Sequence, residues 1–220
     1  MWLVVSVVVI LLGISYIGQK SAKADWDGFA INTIDGLGRL LVKYLHRLPE
    51  TNIPLPETGA AIVVANHVSG LDPFILISAC RRPLRFLIAR EQYERPILHW
   101  LFKASGCIPV DRSGKPEIAL RQALRALEDG EVLAIFPHGT IHLDSDPPKK
   151  LKGGVARLSA WTQTAIFPVR IDGVGGEGHE ALAPFIPSHI QLTLGKEIQA
   201  QQDSFAECLA EISKVIERTS

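Results

Sequence analysis

His67 and Asp72, five residues apart in Asn66-His67-Val68-Ser69-Gly70-Leu71-Asp72-Pro73, are the pair in this chain best suited to acid–base work. A carboxylate bonded to one imidazole nitrogen fixes the tautomer and makes the other nitrogen the better base. Such a pair is a Ser-His-Asp triad without its nucleophile, suited to taking a proton from a hydroxyl that arrives on a substrate. The same letters admit a plainer reading, in which Asp72 caps a helix and His67 bonds backbone at a strand end. Two further stretches carry reactive or charged groups. Arg112 and Lys115, in Val110-Asp111-Arg112-Ser113-Gly114-Lys115, precede a helix start, where free N–H groups and the dipole favour an anion. Pro137-His138-Gly139-Thr140 stands at the end of an apolar run, followed by His142, Asp144 and the cations Lys149, Lys150 and Lys152.

The elements that must hold these groups are legible from periodicity. Ala61 to Ala65 has the length and β-branched content of a buried strand, and Asp72-Pro73 opens a helix before Phe74-Ile75-Leu76-Ile77. Leu84 to Ile88, Cys107 to Val110, Val132 to Phe136 and Ala165 to Ile171 read as further strands, with Ile190 to Leu194 as an edge strand. Gln92 to Ala104, Pro116 to Glu128, Val155 to Thr162 and Ser204 to Arg218 read as helices. Strands alternating with helices predict an α/β fold, a mixed, largely parallel sheet flanked by helices. In such sheets the working groups gather at strand carboxyl ends, where His67, Arg112 and His138 all fall.

Composition narrows the classes. Lysine plus arginine and aspartate plus glutamate number 23 each, so no overall field points to nucleic acid. Cys80, Cys107 and Cys208 are odd in number and widely spaced, without a disulfide or metal pattern, and read as small buried hydrophobes. His138 and His142 are four apart, but Pro137 and Gly139 flank His138 and no glutamate follows it, which argues against a zinc hydrolase. No Gly-x-Ser-x-Gly elbow is present for a serine hydrolase.

Met1 to Ile17 has no charged side chain, and Lys20 and Lys23 follow it. That pattern predicts a retained membrane anchor over residues 1–24, with the lysines on the cytoplasmic side, in preference to a signal peptide cleaved at Ala22-Lys23-Ala24. Trp26 to Leu48 has helical period, with Phe29, Ile34, Leu37, Leu41, Tyr44, Leu45 and Leu48 on one face and Arg39, Lys43, His46 and Arg47 towards its end. It reads equally as an interfacial helix with cations near lipid phosphates or as a helix packed on the core. Residues 25–58, with a Pro-containing linker, then lead into a catalytic domain over 59–220.

Taken together, Asn66-His67-x-x-x-x-Asp72, Val110-Asp111-Arg112, Phe136-Pro137-His138-Gly139-Thr140 and Phe167-Pro168-Val169 resemble, in order and spacing, the four blocks of glycerolipid acyltransferases of the 1-acylglycerol-3-phosphate acyltransferase type. Lys152-Gly153 fits the same pattern. The resemblance implies a membrane-bound enzyme on the cytoplasmic side that moves a fatty acyl group from acyl-CoA or acyl carrier protein to a lysophospholipid hydroxyl. Those thioesters would be co-substrates, with no cofactor or metal. By the same resemblance His67 is the base and Asp72 its orienting partner, Arg112 binds the acceptor phosphate, and the Pro168 block lies on the acyl-donor side. Asn66, Lys115, His138, Gly139, Thr140 and Lys152 complete the expected substrate-binding set. A thioester needs only one base and an oxyanion stabiliser, for which backbone N–H groups of the glycine-containing turns are the candidates.

The third block departs from its usual Phe-Pro-Glu-Gly-Thr-Arg. His138 stands in place of glutamate and Ile141 in place of arginine. The departure puts the acceptor head group in question more than the reaction. Either Arg112, Lys115 and the lysines 149, 150 and 152 hold a phosphate, or the acceptor is a different lyso-lipid, such as an amino-acid-linked one. A non-enzymatic membrane-associated lipid-binding protein is the remaining alternative.

Overall fold

The computed structural model describes residues 1–112, 114 and 116–218. Two helices lead: α1 (Trp2–Ser21) and α2 (Phe29–Tyr44). The α/β unit follows as β1 (Ala61–Ala65), α3 (Asp72–Ser78), β2 (Leu84–Ala89), α4 (Arg90–Tyr93), α5 (Pro96–Ala104), β3 (Ile108–Val110), α6 (Pro116–Glu128), β4 (Val132–Ile135), α7 (Gly154–Thr162), β5 (Ile166–Asp172), β6 (Gln191–Leu194) and α8 (Phe205–Ile216). The sheet order is β3-β2-β4-β1-β5-β6, parallel except for β6, which pairs antiparallel with β5. This is the mixed, largely parallel sheet expected from the sequence.

β1 lies between β4 and β5, so both its faces must be apolar. Ala61, Val63 and Ala65 join the core shared with α3, while Ile62 and Val64 join the core shared with α6, α7 and α8. On that second side Ala119, Ala123 and Ala126 let α6 lie close to the sheet. Cys80, Cys107 and Cys208 are buried free thiols, as expected, and burial pushes the Cys80 thiol up to about 12.

Three local expectations are corrected. The helix read over Gln92 to Ala104 is two helices, α4 and α5, because Pro96 has no N–H to continue α4 and instead starts α5. The buried face of α2 is Ile31, Asp35, Gly36, Arg39 and Val42, whereas Phe29 and Tyr44, assigned to one apolar face, are exposed. Arg39 and His46 are not surface cations. Arg39 Nε pairs with Asp35 Oδ2 at 2.8 Å, its Nη1 donates to Ser78 O, and His46 meets Ser188 Oγ and Pro184 O. The aspartate one turn back on the same helix pairs the arginine locally, and the Ser78 carbonyl at the end of α3 holds it inward.

α1 is 20 residues long with a mean hydropathy of 2.1, enough by length and composition to cross a bilayer. Most of its side chains are exposed, and it meets α2 where two glycines face. A Cβ on Gly36 would lie 1.8 Å from Gly18 O, so the backbones touch.

Candidate active site

The turn between β1 and α3 is built around Asp72. Its carboxylate is fully buried and accepts from Val68 N–H (2.6 Å) and Ser69 N–H (2.9 Å) through Oδ2, and from Ser69 Oγ (2.8 Å) through Oδ1. His67 Nδ1 meets the same Oδ2 at 2.8 Å. With the carboxylate committed as acceptor, Nδ1 carries the proton and Nε2 is left as the basic nitrogen, with no partner among the described residues. Phe136, at the end of β4, stacks on the imidazole with ring centroids 4.2 Å apart and fixes its plane. The backbone is clamped as well: His142 N–H donates to His67 O at 2.7 Å, and Gly178 N–H to Val68 O at 2.8 Å. Gly70 lets the 176–181 segment lie on this turn, since a Cβ there would fall 1.7 Å from Glu180 O.

Asn66, expected in the substrate-binding set, is spent on architecture. Its amide donates to Ile171 O (2.9 Å) and accepts from Ile171 N–H (2.7 Å), extending the β1–β5 ladder by one side-chain pair. Pro168 sits inside β5 opposite Val64, against Gly195 and on the side of the sheet that faces α8. The two-residue period of the strand turns Phe167 and Val169 to the α3 side and Pro168 away from it. His138 is 2% exposed and points away from the cavity described below, its Nε2 3.0 Å from Glu217 Oε1. Burial, the largest influence, holds its pKa below the usual histidine value. None of these three lines the cavity.

His67 opens into a cavity of about 520 Å³. Much of its wall is apolar, with Ile34 of α2, Phe74 and Ile77 of α3, Phe86 of β2, and Leu98 and Leu101 of α5. Arg112, Gly139, Thr140 and Ile141 line another part of it. There Arg112 Nη2 donates to Gly139 O, and Lys149 Nζ donates to Thr140 Oγ1 at 2.8 Å. Lys152 reaches the same turn, where a Cβ on Gly139 (φ +74°) would meet its Nζ at 2.4 Å, and its backbone N–H donates to Pro137 O. Burial and then the Arg112 and Lys149 charges hold the Lys152 ammonium below the usual lysine pKa. Three cations therefore converge on one turn, and the repulsion among them leaves the place receptive to an anion. Lys115 lies outside the described residues. The glycine N–H groups expected as oxyanion donors are engaged: Gly70 donates to His179 O and Gly139 to Phe136 O.

Sequence reasoning located the His67–Asp72 pair, Arg112 and Lys149. It missed the α2 and α5 wall and the 176–181 segment, because a cavity wall collected from distant elements leaves no local motif.

Residues 46–172 match a family model described as acyltransferase. The chain is 29% identical over 163 residues to an N-acylphosphatidylethanolamine synthase of Arabidopsis thaliana, covering 66% of this chain and 57% of that protein. It is 35% identical over 127 residues to a probable 1-acyl-sn-glycerol-3-phosphate acyltransferase of Mycoplasma pneumoniae, covering 54% of this chain and 46% of that protein. The chain thus spans about half the length of these curated relatives. Its fold is similar to the crystal structure of the 1-acyl-sn-glycerophosphate acyltransferase PlsC from Thermotoga maritima, with a TM-score of 0.65, 20% identity, and coverage of 87% of this chain and 82% of that one.

Proposed function

The chain belongs to the acyltransferase family, and from that premise we propose that it transfers a fatty acyl group from an acyl thioester to the free hydroxyl of a lysophospholipid, with 1-acylglycerol-3-phosphate as acceptor and phosphatidate as product. The observation that carries the reading is the His67–Asp72 pair, bonded at 2.8 Å, facing an apolar cavity whose polar part is edged by Arg112. Lys149 and Lys152 converge with Arg112 on the Gly139–Thr140 turn. An acyl chain suits the apolar wall and a phosphate suits the cations.

In this mechanism His67 Nε2 takes the proton of the acceptor hydroxyl as its oxygen attacks the thioester carbonyl. Asp72 stabilises the imidazolium that forms. The new C–O bond is completed as the C–S bond breaks, and the thiolate leaves with the proton returned by His67. The donor is acyl-CoA or acyl carrier protein, no resident cofactor takes part, and α1 holds the domain on the cytoplasmic face of the bilayer.

A second reading keeps the chemistry and changes the acceptor. Ile141 lines the cavity where the family's pattern has a cation, and one relative is named for phosphatidylethanolamine. An acceptor with a head group other than a bare phosphate monoester fits both facts.

The deciding experiment offers labelled acyl-CoA and acyl carrier protein separately to purified protein with lysophosphatidate or other lyso-lipids, beside His67→Ala. Transfer to lysophosphatidate that vanishes in the variant supports the first reading. Transfer only to another lyso-lipid moves the acceptor. No His67-dependent transfer to any acceptor overturns the enzymatic reading in favour of a lipid-binding protein.

A further inference from the structure

The residues at the end of α8 are tied to the active-site loop at several points, and the reaction above uses none of them. Arg170 Nη1 donates to Ile216 O at 2.7 Å, and its Nη2 to Asp144 Oδ2 at 2.6 Å. Arg218 Nη2 reaches Asp172 Oδ1 at 3.1 Å and its Nε lies 3.3 Å from Asp144 Oδ2. Between these anchors stands Glu217. It caps α8 through its N–H to Ser213 O, accepts from Ser213 Oγ, and meets His138 Nε2.

His138 belongs to the turn on which the cations converge. Its neighbour Gly139 offers O to Arg112, and Thr140 offers Oγ1 to Lys149. Its ring also lies 4.4 Å from that of His142, whose backbone N–H holds His67 O. The ionisable groups facing His138 are Glu217, His142 and Lys149. In the neutral ring Nε2–H donates to the Glu217 carboxylate, a charge-assisted bond between a buried imidazole and a partly exposed carboxylate. A glutamate at position 138 would instead set two carboxylates face to face, so His138 and Glu217 are a matched pair.

We propose that His138 is a positioning residue: its hydrogen bond to Glu217 fastens the 137–141 turn to the end of α8, and so fixes the carbonyl and hydroxyl that aim Arg112 and Lys149 at the acceptor's anionic group. It touches no substrate. The proposal rests on the acyl-transfer reading for its catalytic consequence, though the fastening of the turn can be tested without it.

Two measurements on the full chain test this. Kinetics of Glu217→Ala, a change at a partly exposed position, should show KM for the lyso-lipid raised about tenfold with kcat within about twofold, because loosened cations weaken acceptor binding and leave the base in place. His138→Glu should show the same KM defect, and the double change His138→Glu with Glu217→Gln should recover most of it. His138→Gln, which keeps a neutral donor, should retain most of the acceptor affinity. Amide hydrogen exchange, which needs no activity, should speed up across residues 137–146 in Glu217→Ala. Unchanged exchange there, or a Glu217→Ala enzyme with wild-type KM, overturns the proposal. Should wild type transfer acyl groups to no acceptor, the functional reading fails, and the exchange result alone decides whether the turn is fastened through Glu217.

Discussion

At the scale of single residues, Asp72 has two tasks that share one carboxylate. Its carboxylate both orients His67 and satisfies two backbone N–H groups and a hydroxyl in a fully buried turn. Asp72→Asn keeps the size but presents an NH₂ where Oδ2 or Oδ1 accepted. In assays of acyl transfer we expect kcat to fall on the order of 10²–10⁴-fold, the span usual for loss of general-base function. Retention of most of the activity would reduce Asp72 to a residue that only holds the β1–α3 turn together. Asn66 predicts a contrasting outcome. Asn66→Ala leaves the Ile171 N–H and C=O buried without their partners, which should cost roughly 2–4 kcal/mol in urea unfolding, without a specific rise in KM for either substrate. A selective KM change with stability intact would return Asn66 to the substrate site.

At the scale of elements, the cavity wall and the leading helix pair are the parts open to test. α5 contributes Leu98 and Leu101 to the cavity, has no fully buried residue, and packs on the core through the partly buried Phe102. Leu101→Trp adds bulk to the space proposed for the acyl chain. Competition between long and short acyl-CoAs should then shift towards the short chain by about tenfold, and an unchanged ratio would place the acyl chain elsewhere. For α1 and α2 the critical contact is backbone on backbone. Gly36→Leu places a side chain where Gly18 O already lies, and overpacking of this kind costs typically 1–3 kcal/mol. We expect the connection between the helices, residues 22–28, to be cut faster by protease in detergent, and equal cutting of variant and wild type would show that the helices are not packed there.

At the scale of the whole molecule, two buried imidazoles make stability depend on pH. His46 joins the end of α2 to Pro184 and Ser188, and His138 joins the Pro137–Thr140 turn to Glu217. Burial is the first cause that lowers both pKa values below about 6.5. From there down to the depressed values the unfolded chain binds more protons than the folded one, so stability present above pH 6.5 is lost as the pH falls through it. The melting temperature should drop between pH 7.5 and 5.5, and His46→Gln should flatten part of that slope. A melting temperature constant over the range would show that neither imidazole titrates differently in the folded state.

The amino-acid order alone carried the alternation of strands and helices, the mixed parallel sheet, the His67–Asp72 pair and the placing of His67, Arg112 and His138 at strand ends, because each depends on spacing within a few residues or on rules common to all parallel sheets. Which way each side chain faces was settled by packing. Pro168 and His138 share their short motifs with Phe167 and Gly139, yet the strand period and the fold of the turn send them to the far side of the sheet and to the end of α8. Asn66 stands beside the catalytic candidate and serves the backbone of β5, 105 residues away. The inward turn of Arg39 and the wall made by α2, α3 and α5 depend likewise on neighbours distant in sequence. Periodicity encodes the path of the backbone, whereas the partner of a buried polar group is chosen only when separate elements meet and every donor and acceptor removed from water must be matched.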